Sequence, residues 1–179
     1  MFNKIFDDVA NFFKGANKYV VNGKEYVEEK LIGEGGYGYV YVVVDPTVNT
    51  KFALKKMNII SKEALENFKR EIDLWVKINK HDNIVRLIDY EIRDKTVFIV
   101  MELCSEGTLL EYINNTTNLI PEKQILYILN EISNALLVMH TQDRPIAHRD
   151  LKIENILRFG NKLKLCDFGS ASIQTMDPK

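Results

Sequence analysis

The string His148-Arg149-Asp150-Leu151-Lys152-Ile153-Glu154-Asn155, followed after a short hairpin-like segment by Asp167-Phe168-Gly169, constrains this chain more than any other feature. It places two carboxylates and an amide in the order that a phosphoryl-transfer site requires. One carboxylate receives the proton of an attacking hydroxyl. The amide oxygen and the second carboxylate hold the magnesium ions that neutralise the phosphates. Any one of these residues could serve a turn, since Asp and Asn bond readily to their own backbone. The ordered combination is poorly explained that way.

Upstream, Gly33-Glu34-Gly35-Gly36-Tyr37-Gly38-Tyr39-Val40 matches G-x-G-x-x-G-x-V. A dinucleotide-binding loop shares these glycines but opens a helix. Here the loop runs into Tyr39-Val40-Tyr41-Val42-Val43-Val44, whose β-branched and aromatic residues predict a strand. The pattern therefore predicts a glycine hairpin that lets backbone approach phosphates closely. An ordinary glycine-rich turn is the alternative if the loop is taken alone.

The next strand, Phe52-Ala53-Leu54-Lys55-Lys56-Met57, offers two lysines. Strand alternation puts Ala53 and Lys55 on one face and Lys56 on the other. A small Ala53 suits a flat adenine ring, so Lys55 is assigned to the phosphates; Lys56 is the alternative. A helix is predicted from Ser61 to Asn79, capped by Ser61 with Glu63 in its acidic first turn. Leu65, Phe68, Ile72, Trp75 and Val76 form its apolar stripe. Glu71 lies one turn before Trp75 and faces the same way. A buried carboxylate needs a partner, and Lys55 is the natural one. The other reading leaves Glu71 as a solvated charge in Lys69-Arg70-Glu71.

With these motifs in place, the chain resembles a eukaryotic protein kinase over about residues 26–172. The resemblance implies an α+β protein-kinase-like fold, with a five-stranded antiparallel N-lobe, helix C and an incomplete, mostly helical C-lobe. It implies Asp150 as catalytic base and Lys152, Lys55 and Glu71 as its catalytic companions. It also implies ATP and Mg²⁺ as cofactors, with Asn155 and Asp167 as metal ligands. Nucleotide contacts would come from Ile32, Gly33, Glu34, Gly35, Gly36, Gly38, Val40, Ala53, Lys55, Met101, Glu102, Cys104 and Leu157. Met101 would be the gatekeeper, while Val40, Ala53 and Leu157 would sandwich adenine. Trp75, Leu87, His148 and Phe168 would stack as a hydrophobic column. Lys152, two residues after the base, is the serine/threonine pattern, so a protein Ser/Thr hydroxyl is the implied acceptor.

Finer details resemble the Numb-associated (adaptor-associated) kinase family. These are Glu-Gly-Gly-aromatic in the glycine loop, Phe-Ala-Leu-Lys, Lys-Arg-Glu-Ile, an aliphatic residue after His-Arg-Asp-Leu-Lys, and Cys166-Asp167-Phe168-Gly169-Ser170-Ala171. That resemblance implies threonine phosphorylation of clathrin-adaptor or trafficking proteins. Several members replace the third loop glycine, which here is kept as Gly38. By comparison with kinases the chain is truncated after Asp-Phe-Gly, lacking most of the activation loop, the Ala-Pro-Glu segment and later helices.

Net charge of −1 over 179 residues argues against a nucleic-acid partner. Two cysteines, Cys104 and Cys166, form no disulfide framework and fit a cytoplasmic setting. Domain organisation reads as an N-terminal amphipathic helix over 1–17, an N-lobe over 18–103 and a partial C-lobe over 104–179. In the first segment Phe2, Ile5, Phe6, Val9, Phe12 and Phe13 recur at helical spacing. It either packs on the N-lobe or contacts a membrane surface or partner. Val21-Asn22-Gly23-Lys24 predicts a hairpin turn. Pro121 to Gln142 reads as one long helix, apolar on more than one face. Because the partners for those faces fall in the missing helices, an exposed apolar patch and poor stability are expected. Two functional classes stay open: an active Ser/Thr kinase, or a truncated non-catalytic nucleotide-binding or scaffolding protein. A small-molecule phosphotransferase of kinase-like fold is disfavoured by the full motif set.

Overall fold

Alternating β-branched and aromatic residues on either side of tight turns build the first part of the chain as a meander. The computed structural model describes residues 15–35 and 38–174. The segment 1–14, with the predicted amphipathic helix, lies outside the described residues, as do Gly36 and Tyr37. Strands β1 (Lys18–Val21), β2 (Lys24–Gly35), β3 (Gly38–Asp45), β4 (Thr50–Asn58), β5 (Leu87–Arg93) and β6 (Thr96–Glu102) form one sheet of order β1-β2-β3-β4-β6-β5. The kinase resemblance implied five strands; the sixth is β1, joined to β2 by the predicted turn, with Asn22 and Gly23 at positive φ. Asn22 Nδ2 also donates to Asp89 Oδ1 at 2.7 Å, and its backbone N–H donates to Glu91 Oε2 at 2.8 Å. The first hairpin is thereby tied to β5 at the other end of the sheet order. Val21, Tyr26, Val43, Leu54 and Val100 are fully buried and make the core of this unit.

The chain divides into two units, 1–58 with 88–103, and 59–87 with 104–179. The second contains α1 (Lys62–Ile78), α2 (Leu109–Asn115), α3 (Glu122–His140) and short strands β7 (Ile146–Ala147), β8 (Ile156–Phe159), β9 (Lys162–Leu165) and β10 (Ser172–Ile173). Ser61 caps α1 by accepting from Ala64 N at 3.0 Å. Its buried face holds Phe68, Glu71, Ile72, Leu74, Trp75 and Ile78. Val76, placed on that face from the sequence, is exposed. Leu74 takes the position instead, because the i, i+3, i+4 ridge from Glu71 runs through 74 and 75. Thr108 and Glu111 form a reciprocal capping box at the start of α2. On α3, Glu131, Ala135 and Met139 are buried, while Ile125, Leu126, Leu129 and Leu137 stay exposed. The expected apolar patch is therefore present on this helix. No helix among the described residues is long and apolar enough to cross a membrane.

Candidate active site

In the first unit, Gly33 stands opposite Val40, Glu34 opposite Tyr39, and Gly35 opposite Gly38. Gly38 has φ +121°, and a Cβ there would lie 2.1 Å from the Lys56 carbonyl oxygen and 3.0 Å from Met57 Cα. Both obstacles are backbone of the neighbouring strand, so a side chain would have to open the β3–β4 pairing. That accounts for the retained third glycine. Ile32 is exposed at the start of the loop. Ala53, buried, pairs with Val42 and Met101; Lys55 pairs with Val40 and Ile99. Lys56 points to the opposite face, its Nζ 5.8 Å from the Tyr19 ring centroid. Glu102 closes β6 and is buried.

In the second unit the acidic loop is built between β7 and a single 3₁₀ turn at Ile153–Asn155. Arg149 takes a left-handed conformation, φ 66°, which turns the chain before Asp150. Asp150 Oδ2 accepts from Lys152 Nζ at 2.8 Å and from Asn155 Nδ2 at 3.0 Å. Asn155 Nδ2 donates also to the Asp150 carbonyl at 2.9 Å. The Lys152 ammonium first, then the Asn155 amide, hold the Asp150 carboxyl below the usual carboxylate range. The same contact raises Lys152. The Asn155 carbonyl accepts from the Cys166 N–H at 3.0 Å and from Cys166 Sγ at 3.3 Å. Those bonds fix the loop to the residue before Asp167.

Asp167 is left-handed, φ 61°, and this reversal separates its carboxylate from the inward-turned Phe168. Phe168 is fully buried, 5.3 Å from Trp75 and 5.3 Å from His148 by ring centroids. Leu87 is also buried. Glu71, buried on α1, comes beside the same turn: a Cβ on Gly169 would lie 3.6 Å from Glu71 Oε2. Leu157 sits on β8, bridged to Thr108, and Cys104 is half-buried. The second unit thus brings together Asp150, Lys152, Asn155, Asp167 and Glu71. Lys55, Ala53, Val40, Met101 and the described loop glycines belong to the first.

His148 is no proton shuttle by position. Its Nε2 bonds the Cys166 carbonyl at 3.0 Å, and Nδ1 accepts from the Asp150 N–H. Burial lowers its pKa from 6.5, partly opposed by the Cys166 carbonyl and the charges of Asp167 and Asp150. The unfolded chain therefore binds this proton first as pH falls. The stability of the neutral ring is present above pH 6.5 and is lost as pH drops through 6.5 towards the lower folded value. Thermal melting followed from neutral to mildly acidic pH should fall more steeply for the native chain than for His148→Gln. Equal slopes would contradict the assignment.

Two residues escaped sequence reasoning. Asn83, buried after α1, donates to Glu131 Oε2 at 2.7 Å and to the Leu163 carbonyl at 2.9 Å. Its own carbonyl accepts from Leu165 N at 2.8 Å. Buried Glu131 also accepts from Leu163 N at 3.3 Å. Together they lock β9, the strand that delivers Asp167, to α3. Glu131 four residues before Ala135 and eight before Met139, on one helix face, was the available signal.

A glycine hairpin with its strand lysine in one unit, and an Asp–Lys–Asn loop followed by a left-handed Asp in the other, are the parts of a phosphotransfer domain. Residues 26–179 match the model of the protein kinase domain, and the chain belongs to the protein kinase family. It is 43% identical over 169 residues to a probable serine/threonine-protein kinase of Dictyostelium discoideum, covering 89% of this chain and 21% of that protein. It is 34% identical to the serine/threonine-protein kinase ppk30 of Schizosaccharomyces pombe, over 92% of this chain and 18% of that protein. It is 32% identical to Actin-regulating kinase 1 of Saccharomyces cerevisiae, over 79% of this chain and 24% of that protein. The chain therefore spans a quarter or less of these relatives' length.

Proposed function

We propose that this protein is a serine/threonine protein kinase that transfers the γ-phosphoryl group of ATP to a hydroxyl of a protein substrate. The observation that carries the reading is the Asp150 carboxylate held by Lys152 and Asn155, in a loop bonded to the segment bearing Asp167. Asp150 orients the acceptor hydroxyl and takes its proton. Neighbouring donors keep this carboxylate ionised and so able to accept that proton. Lys152 places a positive charge at the reacting phosphoryl group.

The donor set fits magnesium. Asn155 spends its amide N–H groups on Asp150, which leaves the oxygen Oδ1 as its remaining side-chain polar atom. One amide oxygen and the Asp167 carboxylate are hard ligands of the kind Mg²⁺ takes alongside substrate phosphates and water. Bound there, the metal would supply charge neutralisation to the phosphates. Lys55 serves the α and β phosphates, the role its strand face gives it in the sequence. Ile32, Gly33, Glu34, Gly35, Gly36 and Gly38 cover them, while Val40, Ala53, Met101, Glu102, Cys104 and Leu157 receive the adenine. Asp167→Ala should abolish magnesium-dependent ATP binding measured by titration calorimetry. Unchanged affinity would remove Asp167 from the metal site.

Membership in the Numb-associated family, with clathrin-adaptor or trafficking substrates in the cytoplasm, is supported by the Glu-Gly-Gly-aromatic and Cys-Asp-Phe-Gly-Ser-Ala segments. A second reading is nucleotide binding or scaffolding without turnover. Radiolabelled transfer from ATP to serine, threonine and tyrosine peptides separates the two. Incorporation into serine or threonine supports the kinase; binding of ATP with no incorporation supports the second reading.

A further inference from the structure

Strands β1 and β5 stand first and last in the sheet order and are not paired with each other among the described residues. Side chains join them instead. The Asn22 backbone N–H donates to Glu91 Oε2 at 2.8 Å. Asn22 Nδ2 donates to Asp89 Oδ1 at 2.7 Å and to the Tyr90 carbonyl at 3.0 Å. From the other side, Arg93 Nη2 donates to the Val20 carbonyl at 2.5 Å and pairs with Glu91 Oε1 at 2.9 Å. An open strand edge is a template for pairing with another chain, and these bonds hold the two outer edges of the first unit against each other.

Asn22 is also chemically set apart. It is exposed, and it precedes Gly23 in the only Asn-Gly pair of the sequence. Glycine has no side chain to shield its backbone nitrogen, and a Cβ built on Gly23 would meet nothing within 4 Å. Asn83 and Asn155, the asparagines that hold the second unit together, are buried, and each is followed by a β-branched isoleucine. We infer that Asn22 is a site of spontaneous deamidation, and that its conversion to a carboxylate unfastens β1 from β5. In the reaction the Gly23 nitrogen bonds to Asn22 Cγ, the Cγ–Nδ2 bond breaks, and ammonia leaves with the Gly23 amide proton. Water then opens the resulting succinimide to aspartate or isoaspartate.

The product inverts the contact. An amide that donates to Asp89 Oδ1 and to the Tyr90 carbonyl becomes a carboxylate, which only accepts. It then faces the Asp89 carboxylate, and two like charges at contact repel. Glu91 depends on the same turn: the Asn22 N–H first, then Arg93, hold its carboxyl below the usual range. Isoaspartate also lengthens the turn by one backbone carbon, which disturbs the pairing of Val21 with Lys24. The intact bonds restrain the reaction in turn, because Nδ2 must leave Asp89 and the Tyr90 carbonyl before Cγ can meet the Gly23 nitrogen. The closed edge therefore protects Asn22, and the converted edge does not close again.

Incubation of the full chain at mildly alkaline pH, followed by mass spectrometry of its tryptic peptides, tests the chemistry. A synthetic peptide of residues 19–24 sets the unrestrained rate. Asn22 should convert in the chain, more slowly than in the peptide, and Asp89→Ala should raise the rate towards the peptide's. Hydrogen exchange tests the unfastening. The β1 amides should exchange about tenfold faster in Asn22→Asp than in the native chain, the worth of one charge-assisted hydrogen bond. They should also exchange faster than in Asn22→Gly, which loses the side-chain donors without adding charge. Combining Asn22→Asp with Asp89→Asn swaps acceptor and donor and should restore protection, which a general loss of fold would not allow. An Asn22 amide that survives after the peptide is fully converted would overturn the modification, and an unchanged rate in Asp89→Ala would overturn the restraint. Exchange in Asn22→Asp equal to that of the native chain or of Asn22→Gly would overturn the unfastening.

Discussion

Asp150→Asn should lower phosphoryl transfer by about 10²–10⁴-fold, the usual contribution of a positioned proton acceptor, while magnesium-dependent ATP binding is kept. The two outcomes separate because the residues involved are separable. Asn155 and Asp167 retain their oxygens in the variant. The new amide at position 150 can still accept from Lys152 Nζ and Asn155 Nδ2, which now bond Asp150 Oδ2 at 2.8 and 3.0 Å. Only the basic oxygen and its negative charge are lost. The measurement is single-turnover transfer to a serine or threonine peptide with ATP saturating. A variant keeping more than about a tenth of the native rate would remove Asp150 from the role of base, since even a weak general base is worth more than that.

Phe168→Ala should destabilise the second unit by about 3–5 kcal/mol, the cost of removing a buried aromatic ring. The ring is fully buried and touches Trp75 and His148 at centroid distances of 5.3 Å each. Trp75 is itself anchored, donating from Nε1 to the Val85 carbonyl at 2.6 Å. Those neighbours are held in place and cannot collapse cheaply into the space. Differential scanning calorimetry should show Tm falling by roughly 10 °C or more. Transfer should fall further than stability alone explains, because the left-handed Asp167 depends on the inward Phe168 to hold the turn. Phe168→Leu, which refills most of the volume, should recover much of both. A Phe168→Ala protein melting within about 2 °C of native would mean that the column carries little stability.

Motif spacing in the sequence reaches the acidic loop because the chemistry there is local. His148 to Asn155 lie within one short loop and one 3₁₀ turn, so eight residues in order carry nearly the whole arrangement. The opposite facing of the two strand lysines was legible for a similar reason. Strand alternation is geometric, and Lys55 and Lys56 do face opposite ways. The α1 cap at Ser61 and the Asn22-Gly23 turn follow equally short-range rules of backbone satisfaction and positive φ.

What only the tertiary structure decided involves partners far apart in the chain. The tie between the first hairpin and the far side of the sheet depends on Asn22 reaching Asp89 and Glu91, 67 and 69 residues away. The burial of Asn83 and Glu131 depends on Leu163 of β9 lying against both, at separations of 80 and 32 residues. A polar side chain is buried only where such distant groups satisfy it, and no local pattern records that. The requirement for Gly38 likewise comes from the Lys56 carbonyl on the neighbouring strand. In this protein the sequence by itself determined the chemistry a short loop can carry. Long-range packing decided which residues hold that loop still, because their cost or benefit exists only once distant strands and helices meet.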